Sequence, residues 1–363
     1  MLFFSGGTAL KETARVLSRH TASSVHVITP FDSGGSSAVL RRAFNMPAPG
    51  DLRARVLALA DEDRPGVRDL RALFSHRLPP GGEEEWRGLT GGGHPLLRPL
   101  AGECREMVRE RLNLLARRLP EGFPLAGASL GNLFLAAEYL RAGRRLGPAV
   151  TALSRLVKAR GRVYPVTETP AHLAVRLASG EILVGQHTFS GKSGQAPCAP
   201  IERIWLTRAE DSPEPARIAI SAAMAGRIRR AGVICYAMGS FYSSLLASLL
   251  PGGVGRAVAA SAGPKIFIPN LGRDPELAGH SLRLQVERLL KTLLADAPGA
   301  RPREVLSHLL LDRGGGYPGG IPHAWLAARG IAVRDAPLVD PDSAPLAGAG
   351  NLVPALRDLV RGG

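Results

Sequence analysis

Short apolar runs that end in glycine turns alternate with amphipathic stretches at the start of the chain. LFFSGGTAL opens with an apolar run, breaks at Gly6-Gly7 and continues into an amphipathic stretch from Leu10 to Leu17. That pattern predicts strand, glycine turn, helix. SVHVITP, Ser24 to Pro30, reads as a second strand, and SSAVLRRAF as the start of a second helix. Helices follow over Leu52 to Asp61 and around Val67 to Leu73. The order β-α-β-α is that of a parallel sheet with covering helices.

Two stretches change character. Residues 79–125 read as a helical insertion: PPGGEEEWRGLTGGGHP as a glycine-rich flexible loop, then LAGECREMVRERLNLLARRL as an amphipathic helix. LAGASLGNLFLAAEYLRAG follows as a turn and an apolar helix ending near Gly143. Over 161–208 the period becomes two, and AHLAVRLASGEILVGQHTF alternates around Ser179-Gly180, a hairpin signal. This is a β-rich insertion. Beyond it, PEPARIAISAAMAGRIRRAG reads as helix, VICYAMGS as a buried strand with a glycine turn, and FYSSLLASLL as helix. PKIFIPN and EVLSHLLLDR read as strands, and Leu352 to Leu359 as a terminal helix. The whole is one α/β domain over 1–363, a doubly wound, mostly parallel sheet carrying both insertions.

Composition changes the picture in three ways. No run of 18 apolar residues appears, which excludes a helical membrane span, and the N-terminal MLFFSGGTAL has no signal-peptide architecture. Cys104, Cys198 and Cys235 are scattered and odd in number, so neither a disulfide framework nor a zinc knuckle is implied. A reducing, cytoplasmic setting fits. The formal charge of +15 suggests nucleic acid, yet only five of the 46 basic residues are lysine, and the arginines are scattered through helical segments. With aromatic residues at 5%, little is left for base stacking. The charge favours anionic small molecules such as nucleotides instead.

Three serine-bearing glycine turns end predicted strands: SGGTA (5–9), FDSGGSS (31–37) and AMGSFYSS (237–244). In an open parallel sheet, ligands bind beyond the carboxyl ends of the strands. A glycine turn opening a helix offers free N–H groups to an anion, although Ser and Thr there also serve as helix caps. Asp51, at a helix start in PAPGDLRARVLALADE, is either a cap with Arg53 solvated or a partner of Asp32 around Mg²⁺, which prefers oxygen ligands. Asp61 reads as a surface residue. Asn132 in SLGN is a cap or a ligand contact. FSGKSG (189–194) is not a P-loop, because the spacing puts Gln186 where the leading glycine belongs. The nine histidines include no HExxH, and His76 alone lies near the turn region in sequence.

SGGTAL, TPFDSGGSSAVLRRAFNMPAPGDLR, ASLGNLFLAA, RGRVYPVT, GSFYSSLLASLL and NLGRDPELAGHSL occur in the order and spacing of the CofD/YvcK-like family, which this chain resembles over nearly its whole length. That family includes 2-phospho-L-lactate transferases of deazaflavin biosynthesis and YvcK-type gluconeogenesis factors that bind nucleotide sugars. The resemblance implies a Rossmann-like core. It implies that Gly6, Gly7 and Thr8 face ligand phosphates, that Asp32, Gly34, Gly35, Ser36 and Ser37 form a second wall, and that Asp51 is an acidic site residue. Ser129 and Asn132 would contact ligand, Gly239, Ser240 and Ser243 would form a third loop, and Asn270 would lie near the cleft. Asp32 and Asp51 would be catalytic and hold Mg²⁺. The expected partner is a nucleotide or nucleotide-linked small molecule; the oligomeric state stays open, a homodimer included.

Three departures mark a divergent branch. Many relatives carry two consecutive aspartates where this chain has Asp32-Ser33. The GPGS-like turn is AMGS, and the histidine that often precedes SLGN is Ala128. The chemistry expected is phospho-group transfer from a nucleotide-linked donor, with non-catalytic nucleotide-sugar binding as the alternative.

Overall fold

A computed structural model describes residues 1–7, 9–191, 197–340, 344 and 346–361. Seven parallel strands form the main sheet: β1 Leu2–Ser5, β2 Val25–Ile28, β3 Arg162–Pro165, then β7 Ile234–Tyr236, β8 Lys265–Phe267, β9 His308–Asp312 and β10 Ala332–Ala336. Between β3 and β7, β4 His172–Leu177, β5 Ile182–Val184 and β6 Ile201–Thr207 form a separate antiparallel sheet in the order β5-β4-β6. The main sheet runs β10-β9-β8-β7-β1-β2-β3. The chain therefore winds outward from β1 to β3, then returns beside β1 and winds outward the other way. The switch point lies between β1 and β7, and the expected glycine turns follow the three adjacent strands β7, β1 and β2.

Helices cover the sheet. On the β1–β3 side lie α1 Lys11–His20, α2 Gly35–Phe44, α3 Gly50–Ala58, α4 Val67–Ser75, α5 Glu83–Gly91, α6 Gly102–Ala116, α7 Leu130–Arg141 and α8 Leu146–Leu156. Thr13, Ala14, Leu17 and Ser18 form the buried stripe of α1. Every side chain of α7 from Leu130 to Tyr139 is buried, so its apolar sequence forms the centre of a helical core rather than a surface layer. Glu138 is the charged residue there, and Arg111 and Arg141 both pair with it. The short α9 Gln186–Phe189 follows β5, and α10 Ala222–Arg229 precedes β7. Beyond β7 come a π-helical turn at Phe241–Leu246, α11 Ala247–Leu249, α12 Val254–Ala259, α13 Leu282–Asp296, α14 Pro302–Val305, α15 His323–Ala327 and α16 Ala349–Arg361.

Several expectations change. The glycine-rich stretch 79–95 contains α5, because Trp86 and Leu89 reach the core and three glutamates fill its first turn. β3 is an edge strand of the main sheet, so the antiparallel sheet starts only at His172. The stretch expected to be helical from Pro213 is not helical up to Ser221, whose hydroxyl caps α10 by accepting from the Met224 N–H at 3.2 Å. Ala219 bridges Gly252 there. EVLSHLLLDR divides between the end of α14 and β9, and α8, α13 and β10 were not anticipated.

Candidate functional site

The loop after β2 and the start of α3 close on each other beyond the sheet. A Cβ on Gly50 would sit 2.5 Å from Ser37 Oγ, 3.3 Å from Asp32 Oδ2 and 3.8 Å from Asn132 Nδ2. The turns after β2, before α3 and at the start of α7 therefore meet at one point. The first glycine turn packs equally tightly. A Cβ on Gly7 would fall 2.4 Å from Asp51 Oδ1, and one on Gly6 would fall 2.5 Å from Ser244 Oγ on the helix after the third turn. Only glycine permits that approach. Asp32 shapes its own turn by accepting from the Gly34 N–H at 3.2 Å, and Gly35 starts α2 at φ +47°, where a side chain would be strained.

Three arginines fix these loops from behind. Arg55 is fully buried and donates to Leu10 O at 2.7 Å, Gly6 O at 2.8 Å and Ser5 Oγ at 3.3 Å. Arg41, also buried, donates to Phe31 O at 3.1 Å, Asp32 O at 3.0 Å and Ala171 O at 2.5 Å, joining the second turn to the segment that enters β4. Arg53 donates to Ser129 Oγ at 2.6 Å and Phe74 O at 3.3 Å. Burial lowers all three guanidinium pKa values to about 10, and the neighbouring charge of Arg77 adds to the effect at Arg53. All three remain charged at neutral pH. They take up loop carbonyls.

The resulting cleft has a volume of about 880 Å³. Of the residues singled out in the sequence, Asp32, Gly34, Gly35, Ser36, Ser37, Asp51 and Asn132 line it, joined by Ser33, Arg42, Arg53, Arg77, His187 and Glu210. Asn132 Oδ1 is buried with no partner among the described residues. Asp51 is the second residue of α3, whose N-cap is Pro49, and Arg53 is committed to Ser129 rather than solvated. A side bay of about 250 Å³ shares Ser33 and Arg42 with the cleft and contains His172. Burial and the charge of Arg41 push His172 down to about 4, so it is neutral at pH 7.

Other candidates lie elsewhere. Thr8, together with Lys192, Ser193 and Gly194 of FSGKSG, falls outside the described residues. Ser129 is buried; its hydroxyl accepts from Arg53 and its N–H donates to Ser36 Oγ at 3.2 Å. GASLG, 127–131, has nucleophile-elbow spacing, but Ser129 opens α7 without a preceding sheet strand and its hydroxyl meets a guanidinium. His76 contacts Glu85 at 2.5 Å, away from the cleft lining.

The third turn is turned inward. Gly239 donates to Asn270 Oδ1 at 2.8 Å, and Asn270 Nδ2 donates back to Gly239 O at 2.6 Å. Phe241 N–H donates to Asp274 Oδ2 at 2.8 Å. Glu276 Oε2 accepts from the N–H groups of Tyr242 at 2.8 Å and Ser243 at 2.9 Å, while Ser243 Oγ donates to Oε1. Gly239, Ser240, Ser243 and Asn270 lie outside the cleft lining, and the chain's own carboxylates occupy this helix start. Burial and the charge of Asp274 raise Glu276 to about 7. The helix is wound locally as a π-turn, with Leu245 N–H donating to Ser240 O at 3.1 Å.

Ser33 follows Asp32 in the second turn, at the position where the resemblance led us to expect a second aspartate. Its hydroxyl contacts His187 Nδ1 at 2.8 Å and accepts from the His187 N–H at 3.1 Å, fastening α9 to the second turn. The sequence carried no signal for this link, which spans 154 positions.

Comparison with known proteins completes the description. Residues 1–315 match the family model described as 2-phospho-L-lactate transferase CofD. The chain belongs to the CofD family. Within it, this CofD-family chain is 29% identical over 272 residues to the gluconeogenesis factor of Bacillus subtilis, covering 75% of its own length and 68% of that protein. It is 29% identical over 289 residues to a putative gluconeogenesis factor of Deinococcus radiodurans, covering 79% of its own length but only 50% of that relative. A crystal structure of a UPF0052 family member from Bacillus halodurans superposes with a TM-score of 0.73 at 22% identity, covering 98% of this chain and 97% of that one. It shares the fold.

Proposed function

We propose that this CofD-family protein binds a nucleotide-linked small molecule through its phosphates in the cleft between the second turn, α3 and α7, and transfers a phosphorus-containing group to an acceptor hydroxyl. One observation carries the reading: the convergence of Asp32, Ser37, Gly50 and Asn132, with Asp51 beside Gly7. The donor set of Asp32, Asp51 and the orphaned Asn132 Oδ1 is hard oxygen, which fits Mg²⁺. Asp32 and Asp51 would hold the ion, which when bound neutralises phosphate charge.

The protein's own groups supply the rest. N–H groups at Gly35 to Ser37 face the phosphates at the start of α2, and Arg42 and Arg77 add positive charge on the rim. The acceptor oxygen forms a bond to the donor phosphorus, the bridging P–O bond breaks, and a nucleoside monophosphate leaves with that electron pair. The hydroxyl proton passes to the Asp32 or Asp51 carboxylate. Positioning and fixed charge do most of this work.

Thermal-shift titration with GDP, UDP and UDP-sugars, with and without Mg²⁺, tests the proposal. A metal-dependent rise in Tm is expected, and Asp32→Ala or Asp51→Ala should abolish the metal dependence. Tight binding that ignores chelator and both substitutions would support a second reading, a non-catalytic nucleotide-sugar binder. Ser33 favours that reading, because a hydroxyl bonded to His187 replaces a carboxylate.

A further inference from the structure

Away from this cleft, the seam between the antiparallel sheet and α13 forms a trough of about 650 Å³. Ile204, Leu246 and Leu250 give it an apolar floor, and cationic side chains stand on both rims. On one rim Arg288 and Lys291 lie about one turn apart on the same face of α13. On the other, Arg176 of β4 and Arg203 of β6 are direct cross-strand partners. Like charges placed directly opposite in a sheet destabilise it. Here a second cationic pair faces the first.

Of this cluster, the nearby carboxylates reach only Arg176. Glu202 meets Arg176 at 3.4 Å, and Asp296 accepts from the Gly253 N–H at 2.8 and 2.9 Å and meets Arg256. Among the described residues no carboxylate lies within ion-pair distance of Arg203, Arg288 or Lys291, and Arg288 Nε is buried without a partner. The rings offer no platform for a base. Tyr242 packs edge-on against Phe241 and His280, and Arg203 lies over Trp205 at 5.4 Å. An apolar floor beneath converging charges is the usual form of a small-molecule site, and this volume lies within the usual range.

We propose that this trough binds an amphiphilic anion, with Arg203, Arg288 and Lys291 holding a phosphate or carboxylate head and Ile204, Leu246 and Leu250 receiving its hydrocarbon chain. The site is separate from the nucleotide cleft and does not depend on its assignment.

The full-length protein is titrated with decyl phosphate, decanoate, decanol and inorganic phosphate, each below its micelle concentration where it has one. Trp205 fluorescence and calorimetry are the readouts, because a head group drawing Arg203 away changes the indole environment. Saturable binding is expected for one or both charged amphiphiles, and which one binds identifies the head. Decanol and inorganic phosphate should bind at least about tenfold more weakly. The pair Arg203→Glu and Lys291→Glu should weaken binding about tenfold or more, and Leu250→Arg should do the same by filling the floor. Charge reversal at the distant Arg117 and Arg118 should leave affinity unchanged. Equal binding of decanol would overturn the proposal, as would equal losses from the distant pair or no saturable binding of either charged amphiphile.

Discussion

Arg55 shows how one side chain can hold a loop that it does not belong to. It lies within the α3 sequence LRARVLA, yet its partners are the carbonyls of Leu10 and Gly6 and the Ser5 hydroxyl, 45 to 50 positions away. With those carbonyls turned toward the guanidinium, the first turn keeps its tight packing against Asp51. Arg55→Met keeps much of the volume but strands two buried acceptors and removes a buried charge. Leaving such groups unpaired costs about 3 kcal/mol or more, which urea unfolding should detect as a lower midpoint. If midpoint and slope match the wild type, the first turn is not held by Arg55. Nothing in the local sequence distinguished Arg55 from the many solvated arginines of this composition. Asp32, Ser37 and Asn132 were legible because glycine turns and the polar turn that opens an apolar helix announce themselves locally. The arginines behind them were not, because their partners are distant carbonyls that leave no pattern in the chain.

The helix that follows the third glycine turn differs from its two companions. All three were expected to present N–H donors to a ligand, but here Asp274 and Glu276 already accept those donors. The sequence NLGRDPELAGHSL contained both carboxylates, and only the fold brings them 33 or more positions back to Phe241, Tyr242 and Ser243. Glu276 also has a pH consequence. Its folded pKa of about 7 lies above the ordinary glutamate value of 4.5, chiefly through burial and then through Asp274. A raised pKa means that the folded state binds the proton more tightly. Its stabilising contribution is therefore complete below about pH 4.5 and is lost as pH rises through 7. Asp274 is raised in the same direction. Glu276→Gln should remove this dependence. The stability gap between wild type and variant should then change by roughly 2 to 3 kcal/mol between pH 4.5 and pH 8. Parallel stability curves across that range would show that Glu276 keeps its charge throughout.

At the scale of the whole molecule, the doubly wound, mostly parallel α/β class was the most legible feature, since β-α-β-α at the start and a return to buried strands after 232 point to one sheet with covering helices. The outer strand β10, the helices α8 and α13, and the assignment of β3 to the main sheet were harder. β10 and β3 are short, and only pairing assigns them to the sheet. By contrast, α8 and α13 do carry a helical period, at Leu146, Ala149, Val150 and Leu153 and at Leu282, Val286, Leu289, Leu290 and Leu293, that our reading of the sequence did not use. Net charge belongs to this scale too. A formal +15 spread over 363 residues surrounds a cleft whose rim carries Arg42 and Arg77. A positive field of this kind speeds the capture of an anion without adding a contact. Salt shortens its reach, since the Debye length falls from about 14 Å to about 4 Å between 50 and 500 mM salt. Stopped-flow measurement with a fluorescent nucleotide should therefore show kon falling about fivefold or more across that range. The rate koff should stay within about twofold, because in the proposed binding mode the phosphates meet N–H groups and fixed side chains at short range. If koff carries the change instead, the salt-sensitive contacts lie inside the cleft, and the scattered arginines contribute solubility rather than capture.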